Sequence, residues 1–449
     1  MAIENYFCKF ATPNNASRMD NFNISEWGTF KDSLKAPVYG WFTYPAGFSY
    51  KAVEYSFRMA NLKPGDTVYD PFMGSGTTNL AAKTQGLNSY GVEAHPFVYP
   101  IAKCKLNWDI DPDDIKHHLV QVATIVNADQ HTTEQRKQIT EDEFPKLVLD
   151  CFLPDTLYEL LLIRNYVRTV EDSSSKLLLS TGLICVLRVV SIAATGWPYI
   201  APNKIRITAE SKKGLDSYVK LIQKMLSDIA IIRQTSVPIQ STHNLILGDS
   251  RNTIGIIPDE SVNHIFTSPP YLNNFDYADR TRLEMYFMGD AKNWNDICET
   301  VRTKLITSAT TQINRKDPKY LFSEEFIREN PEEYAFLQPA VNELTEIRKT
   351  KGGKKSYDFL VSGYFQDLHK ILKDNYRVLR GNSVAQYIVG DSAPYGVHIP
   401  TDELIARIGC NIGFIRYEIT ELRTRGDKWK DNPQRHNEHL RETIITLYK

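Results

Sequence analysis

The sequence predicts an α/β fold, a sheet carrying helices and interrupted by a mainly helical insertion, and three observations predict it. A short apolar strand runs into a glycine-rich turn and then a helix between residues 67 and 84. Strand signals return only near residue 244, beyond a long stretch of helical periodicity. The chain has 449 residues, more than a single core usually supports, so two lobes or one domain with a large insertion are expected.

From Pro37 to about Trp108 the order is loop, helix, strand, turn, helix, strand. Residues 49–61 read as a helix, 67–69 as a short strand and 77–84 as a helix start. A second strand ends in Gly91-Val92-Glu93. Residues 111–235 then change character. Leu157, Leu160, Leu161, Arg164 and Val167 recur at helical spacing, as do Leu215, Tyr218, Leu221, Ile222, Met225, Leu226 and Ile229. This block is expected to be an insertion over 109–243, between two parts of one α/β domain at 1–108 and 244–449. Strand signals resume at 244–247 and 264–267, and again at 383–389 after a helix ending near Leu379. Residues 290–356 are charged and irregular. Within them Arg348, Lys349, Lys351, Lys354 and Lys355 surround Gly352 and Gly353 in an expected exposed loop.

Lys+Arg 53 against Asp+Glu 54 excludes both a basic nucleic-acid coat and an acidic tail, so any nucleic-acid surface must be local. The six cysteines include no C-x-x-C pair, which points to reduced thiols and no metal site. The N-terminus lacks the basic-then-apolar order of a signal peptide. The most apolar stretch, 177–194, is interrupted by Arg188 and is expected to fall short of a membrane span. A cytoplasmic, membrane-free protein is expected.

The turn Asp70-Pro71-Phe72-Met73-Gly74-Ser75-Gly76-Thr77-Thr78 joins strand to helix, and its glycines let the backbone bend sharply without blocking a ligand. About 20 residues on, Glu93 supplies a carboxylate suited to a ribose diol. Gly-x-Gly by itself leaves a plain tight turn or another nucleotide cofactor open. Two departures narrow the choice. No lysine follows Gly76, against ATP or GTP hydrolysis, and Asn79 stands where a dinucleotide fingerprint needs its third glycine. A cofactor with adenosine but no pyrophosphate fits better.

A second motif, Thr267-Ser268-Pro269-Pro270-Tyr271, directly follows a strand-like run. Consecutive prolines fix the backbone and remove two amide donors, leaving carbonyl oxygens free to accept, while Tyr271 offers a flat face. That combination suits a base carrying an amino group. Standing alone, the tetrapeptide reads equally as a polyproline-like turn or a ligand for a partner domain.

Together these motifs resemble the amino-methylating DNA methyltransferases. Asp70 to Thr78 is similar to that family's loop for S-adenosylmethionine, and Tyr44-Pro45-Ala46-Gly47-Phe48-Ser49 to the segment that packs around the methionine part. The resemblance implies a Rossmann-like methyltransferase sheet and assigns the cofactor to Tyr44, Pro45, Ala46, Phe48, Asp70, Pro71, Phe72, Gly74, Ser75, Gly76, Thr77 and Glu93. Asp249 resembles the acidic residue beside the adenine ring, with a solvated turn as its alternative. Ser268, Pro269, Pro270 and Tyr271 match the catalytic motif, whose polar atoms hold the amino group of an extruded base while the aromatic ring stacks on it. An aromatic amine is a poor nucleophile, and acceptors at Ser268 and the Pro269 carbonyl draw it toward tetrahedral geometry, which leaves positioning as the main task.

Serine at the first motif position is associated in the family with cytosine N4, and adenine N6 stays open. No Pro-Cys dipeptide lies near the motif, against attack on the cytosine ring by a thiolate. The resemblance covers about residues 40–108 and 244–449, including Tyr376-Arg377-Val378-Leu379, Gly390-Asp391-Ser392 and Arg441-Glu442. It implies double-stranded DNA as partner, base flipping, and a separate restriction endonuclease acting on the same site. Methylation of a guanine N2 in RNA and a non-catalytic nucleic-acid-binding module are the competing readings.

Three places are candidates for contact with DNA. They are Thr195-Gly196-Trp197-Pro198-Tyr199 with Asn203, Lys204 and Arg206; the loop holding Lys351 and Lys354; and Arg423, Arg425, Lys428, Trp429, Lys430 and Arg435. A solvated charged loop is the alternative for each.

Overall fold

The computed structural model describes residues 24–43, 47–194, 206–207, 213–273, 275–350, 355–425 and 439–449. Its strands are β1 (Thr67–Asp70), β2 (Asn88–Glu93), β3 (Ala193–Ala194), β4 (Arg206–Ile207), β5 (His243–Leu247), β6 (Val262–Thr267), β7 (Leu379–Gly390), β8 (Arg416–Arg425) and β9 (Leu440–Tyr448). β3 and β4 form a small ladder of their own, and the other seven make one sheet in the order β5-β2-β1-β6-β7-β9-β8. Every pairing in it is parallel except those of β9, which runs antiparallel between β7 and β8. β1 and β6 are buried almost throughout, as parallel strands covered on both faces are. From β1 the chain builds outward through β2 and β5 on one side, then returns to β6 and β7 on the other. Such a reversal opens a crevice at the carboxyl ends of the strands.

The helices beside the sheet are α1 (Lys31–Lys35), α2 (Tyr50–Met59), α3 (Thr77–Thr84) and α4 (Tyr99–Leu106). The Ser49 hydroxyl caps α2 by accepting from the Lys51 amide, and α3 starts at the end of the glycine-rich turn, both where the sequence places them. A helical block follows: α5 (Pro112–Asn127), α6 (Thr133–Glu143), α7 (Lys146–Leu149), α8 (Pro154–Thr169), α9 (Ser173–Val190) and α10 (Gly214–Thr235). All five residues whose spacing marked α8 are buried, and in α10 Tyr218, Ile222, Met225 and Ile229 are buried too. By length and hydropathy α9 reaches what a membrane span requires, which corrects the expectation from sequence. Most of it is buried inside the protein, so its apolar composition serves a core helix.

The remaining helices are α11 (Arg282–Met288), α12 (Trp294–Ile297), α13 (Glu324–Glu329), α14 (Pro331–Thr350), α15 (Tyr357–Val378) and α16 (Thr401–Ile412). α14 corrects the irregular loop expected over 290–356. Its buried stripe is narrow, carried by Leu337 and Leu344 with Val341 partly buried, and Pro339 lies inside the helix, so its period is hidden in a charged sequence. Arg348 belongs to the last turn of α14 and pairs with Asp358 at 2.8 Å instead of facing solvent from a loop.

Candidate active site

The carboxyl ends of β1, β2, β5 and β6 meet at one cleft. Its lining includes Phe48, Pro71, Phe72, Gly74, Ser75, Thr77, Glu93, Asp249, Ser268 and Pro270, so ten of the residues singled out in the sequence converge on one space. Phe30, Lys304 and Ser308 join them and carry no sequence motif of their own, and Tyr277 joins from the segment 273–277, which follows the Ser-Pro-Pro-Tyr motif and also resembles the family. Tyr44, Pro45 and Ala46 lie outside the described residues.

The turn after β1 adopts the conformations its glycines permit. Gly74 has φ 52° and Gly76 φ 85°, left-handed values that side chains with a Cβ disfavour. Asp70 closes β1 and is fully buried: the Thr267 hydroxyl donates to its Oδ1 at 2.6 Å and the Phe72 amide at 3.0 Å, while Oδ2 has no partner. Burial outweighs those bonds and pushes its carboxyl up to about 6. Glu93 closes β2, accepts from the His95 amide at 2.7 Å and is pushed up to about 7 by burial. A buried carboxyl at the cleft wall is suited to accepting from a ligand's hydroxyls. A turn that carries no side chain at Gly74 and Gly76, and the orphaned Asp70 oxygen behind it, fit a nucleoside without phosphates.

Asp249 also borders the cleft, but Arg251 engages its carboxylate at 2.7 Å and reaches on to Asp367 at 2.9 Å. Its second role is therefore to anchor the loop after β5.

Ser268 follows β6 directly, and its hydroxyl donates to the Ile388 carbonyl of β7 at 3.0 Å. That fixes the side chain and leaves the lone pairs of Oγ as acceptors. Tyr271 does not line the cleft. It is 4% exposed, its hydroxyl donates to Glu442 Oε1 at 3.0 Å, and the Arg425 guanidinium lies 5.0 Å from its ring centroid. Glu442, itself buried, pairs with Arg423 at 2.7 Å. Register explains the grouping, since Glu442 of β9 lies opposite both Gly390 of β7 and Arg423 of β8. A Cβ on Gly390 would stand 2.1 Å from Arg425 Nη1 and 3.1 Å from the Tyr271 ring, so a side chain there would displace the arginine from the tyrosine.

Arg423 and Arg425, expected from sequence to face DNA, are thus turned toward the motif tyrosine. Trp197, Lys351, Lys354, Lys428 and Trp429 lie outside the described residues. Among the described residues no group of histidines, cysteines and acids could hold a metal ion. Sequence reasoning missed Glu442 as a partner of Tyr271, though it had noted Arg441-Glu442 as a strand motif. A buried acid in a terminal strand was the available signal. It also missed Lys105, whose Nζ donates to Ser75 Oγ at 3.1 Å.

The profile of a DNA methylase family matches residues 12–104. Over most of its length the chain is similar to the type II methyltransferase M.BsoBI of Geobacillus stearothermophilus, 26% identical over 431 residues that cover 88% of this chain and 82% of the relative. It is similar also to the type II methyltransferase M.AvaI of Nostoc sp., 25% identical over 423 residues, 88% of this chain and 83% of the relative. The type II methyltransferase M.MvaI of Kocuria varians is 21% identical over 426 residues, 90% of this chain and 87% of that protein.

Proposed function

This chain belongs to the amino-methylating DNA methyltransferases of restriction-modification systems, and we propose that it methylates the N4 amino group of cytosine within a specific duplex sequence. S-adenosylmethionine, bound in the cleft, supplies the methyl group as an electrophile on sulfur. The observation that carries the reading is that Ser268 and Pro270, at the exit of β6, line the same cleft as Glu93 and the glycine-rich turn of β1. Glu93 accepts from the ribose hydroxyls, and Phe48, Pro71 and Phe72 exclude water along the cleft wall.

Ser268, locked onto Ile388, presents Oγ to one amino hydrogen of the extruded base, and the Pro269 carbonyl accepts the other. These two acceptors localise the amine lone pair and aim it into the cleft, and fixed dipoles of this kind supply most of the acceleration. Tyr271, held by Glu442, supports the base by its ring. Because Arg425 covers that ring, it must swing aside before a base stacks there. Flipping the base costs a few kcal/mol, offset by protein contacts. A separate endonuclease cutting the same unmethylated site is the proposed biological partner, with both acting in the cytoplasm.

The test is incubation with labelled S-adenosylmethionine and unmethylated duplex DNA, then digestion and mass spectrometry of the nucleosides. N4-methylcytosine is expected. N6-methyladenine would overturn the base, and transfer to RNA alone would overturn the substrate. Ser268→Ala and Tyr271→Ala should abolish transfer with the fold retained; undiminished transfer would sink the site assignment.

A further inference from the structure

A buried cation stands behind the glycine-rich turn with no anion facing it. α4 packs directly on the turn: a Cβ on Gly76 would lie 3.2 Å from the Ala102 Cβ. One helical turn beyond Ala102, Lys105 is 1% exposed, and its Nζ donates to the Tyr39 carbonyl and to Ser75 Oγ, each at 3.1 Å. Among the described residues no carboxylate pairs with it. Its titratable neighbours are the thiols of Cys104 and Cys185, and burial pushes both up to about 12, so they stay neutral. Burial pushes the Lys105 ammonium down to about 8, which leaves it charged at neutral pH. A charged ammonium is almost never buried without a partner, because desolvation costs several kcal/mol. It also carries three donors, of which two are used here.

Ser75 connects this charge to the cleft. Its Oγ accepts from Lys105, it donates to no acceptor among the described residues, and it lines the cleft together with Phe30, Gly47 and Phe48. Glu93 and Asp249 account for the nucleoside in the reading above, which leaves this part of the lining for the remainder of the ligand. Lys304, the lysine that itself lines the cleft, is exposed to solvent, whereas Lys105 reaches it only through Ser75.

We propose that Lys105, acting through the Ser75 hydroxyl, is the positioning residue that supplies the counter-charge for the carboxylate of the cofactor's amino-acid tail. Lys105 donates to Ser75 Oγ, and Ser75 passes its own hydrogen bond to the carboxylate, so no proton leaves either group. The proposal rests on the reading of the cleft as the S-adenosylmethionine site.

Calorimetry on the full chain separates the two. S-adenosylhomocysteine carries the tail carboxylate, whereas 5′-methylthioadenosine keeps the nucleoside and thioether and lacks it. For Lys105→Met and for Ser75→Ala, affinity for S-adenosylhomocysteine should fall about 10-fold or more while that for 5′-methylthioadenosine changes by less than about twofold. Ser75→Ala removes a single hydroxyl, the smaller perturbation, and decides the matter if Lys105→Met does not fold. Equal losses for both ligands would show that Lys105 merely braces the turn, and no loss for either would equally overturn the proposal. Wild-type protein that binds neither ligand would sink the cofactor reading and the proposal with it; wild-type binding of both, with selectivity intact in the variants, would sink Lys105 alone.

Discussion

Replacing Glu93 by glutamine should make the empty protein more stable at neutral pH and a poorer binder of its cofactor. Burial holds the Glu93 carboxyl near 7 against an ordinary 4.5, and the amides of His95, Gly74 and Ala94 pull in the other direction without cancelling it. The folded value lies above the unfolded one. This group therefore favours the fold below about pH 4.5, and that contribution is lost as pH rises through about 7. The gap between the two values corresponds to roughly 3 kcal/mol. Glu93→Gln keeps an acceptor for the His95 amide and carries no charge to desolvate. Its melting temperature relative to wild type should climb by several degrees between about pH 5 and about pH 8, by up to roughly 3 kcal/mol in stability. Binding has the opposite sign, because the ionised carboxylate is the better acceptor for ribose hydroxyls. Wild-type affinity for S-adenosylhomocysteine should rise with pH up to about 7, whereas the variant should bind about 10-fold more weakly with no such rise. Scanning fluorimetry across pH without ligand, and calorimetry with it, read both halves. Parallel melting profiles together with equal affinities would refute the reasoning.

Two further substitutions test the scaffold around the site. Glu442→Ala removes the acceptor of the Tyr271 hydroxyl and the partner of Arg423, which should cost about 2–4 kcal/mol in a denaturant titration and slow methyl transfer. Glu442→Gln keeps the tyrosine's acceptor and should recover much of the rate; equal rates in the alanine variant and wild type would remove Tyr271 orientation from the mechanism. Arg188→Met strands Glu284, which is fully buried and paired with Arg188 at 2.8 Å, and should cost about 3–5 kcal/mol. Pairing it with Glu284→Leu should restore most of that stability by thermal melting, and a purely additive double variant would show the pair is not coupled.

What the sequence made legible follows from which signals are local. β1, its turn and α3 could be read because strand, glycines and helix start lie within eighteen residues of one another, at 67–84. α8 and α10 could be read because their buried faces repeat at helical spacing over several turns. α14 could not, because its stripe is narrow and Pro339 interrupts it. In the site, ten residues carried by motifs converge on one cleft, whereas the residues that act on them from afar could not be matched to them from sequence. Glu442 meets Tyr271 across 171 positions, and only the register of β7, β9 and β8 brings them together. Lys105 sits on a short helix among apolar residues, where one lysine reads as a surface residue whose stem is covered. Arg423 and Arg425 look like phosphate ligands in a run of cations, and their pairing with Glu442 and with the Tyr271 ring depends on an acid and a tyrosine that the run does not contain.

The helical block is joined to the cleft more closely than an inserted module would be. Leu157, Ile184 and Ile222 of α8, α9 and α10 belong to the same buried cluster as Phe42, Leu80 and Ile101 from the first half of the sheet domain. Apolar packing of this kind favours association without setting direction, so the register of the two parts depends on directional bonds. Trp41 Nε1 donates to Asp228 of α10 at 2.9 Å, Arg164 of α8 donates to the Phe287 carbonyl at 2.6 Å, and Arg188 of α9 joins Glu284 to the Thr43 carbonyl. Lys105 ties Tyr39 to Ser75. Three of these bonds end within residues 39–43, just before the aromatic segment, and two within α11 or at its end, shortly after the catalytic motif. Removing the block would therefore expose Phe42 and Ile101 and release both segments at once. What the block does in the structure is hold those two segments in place.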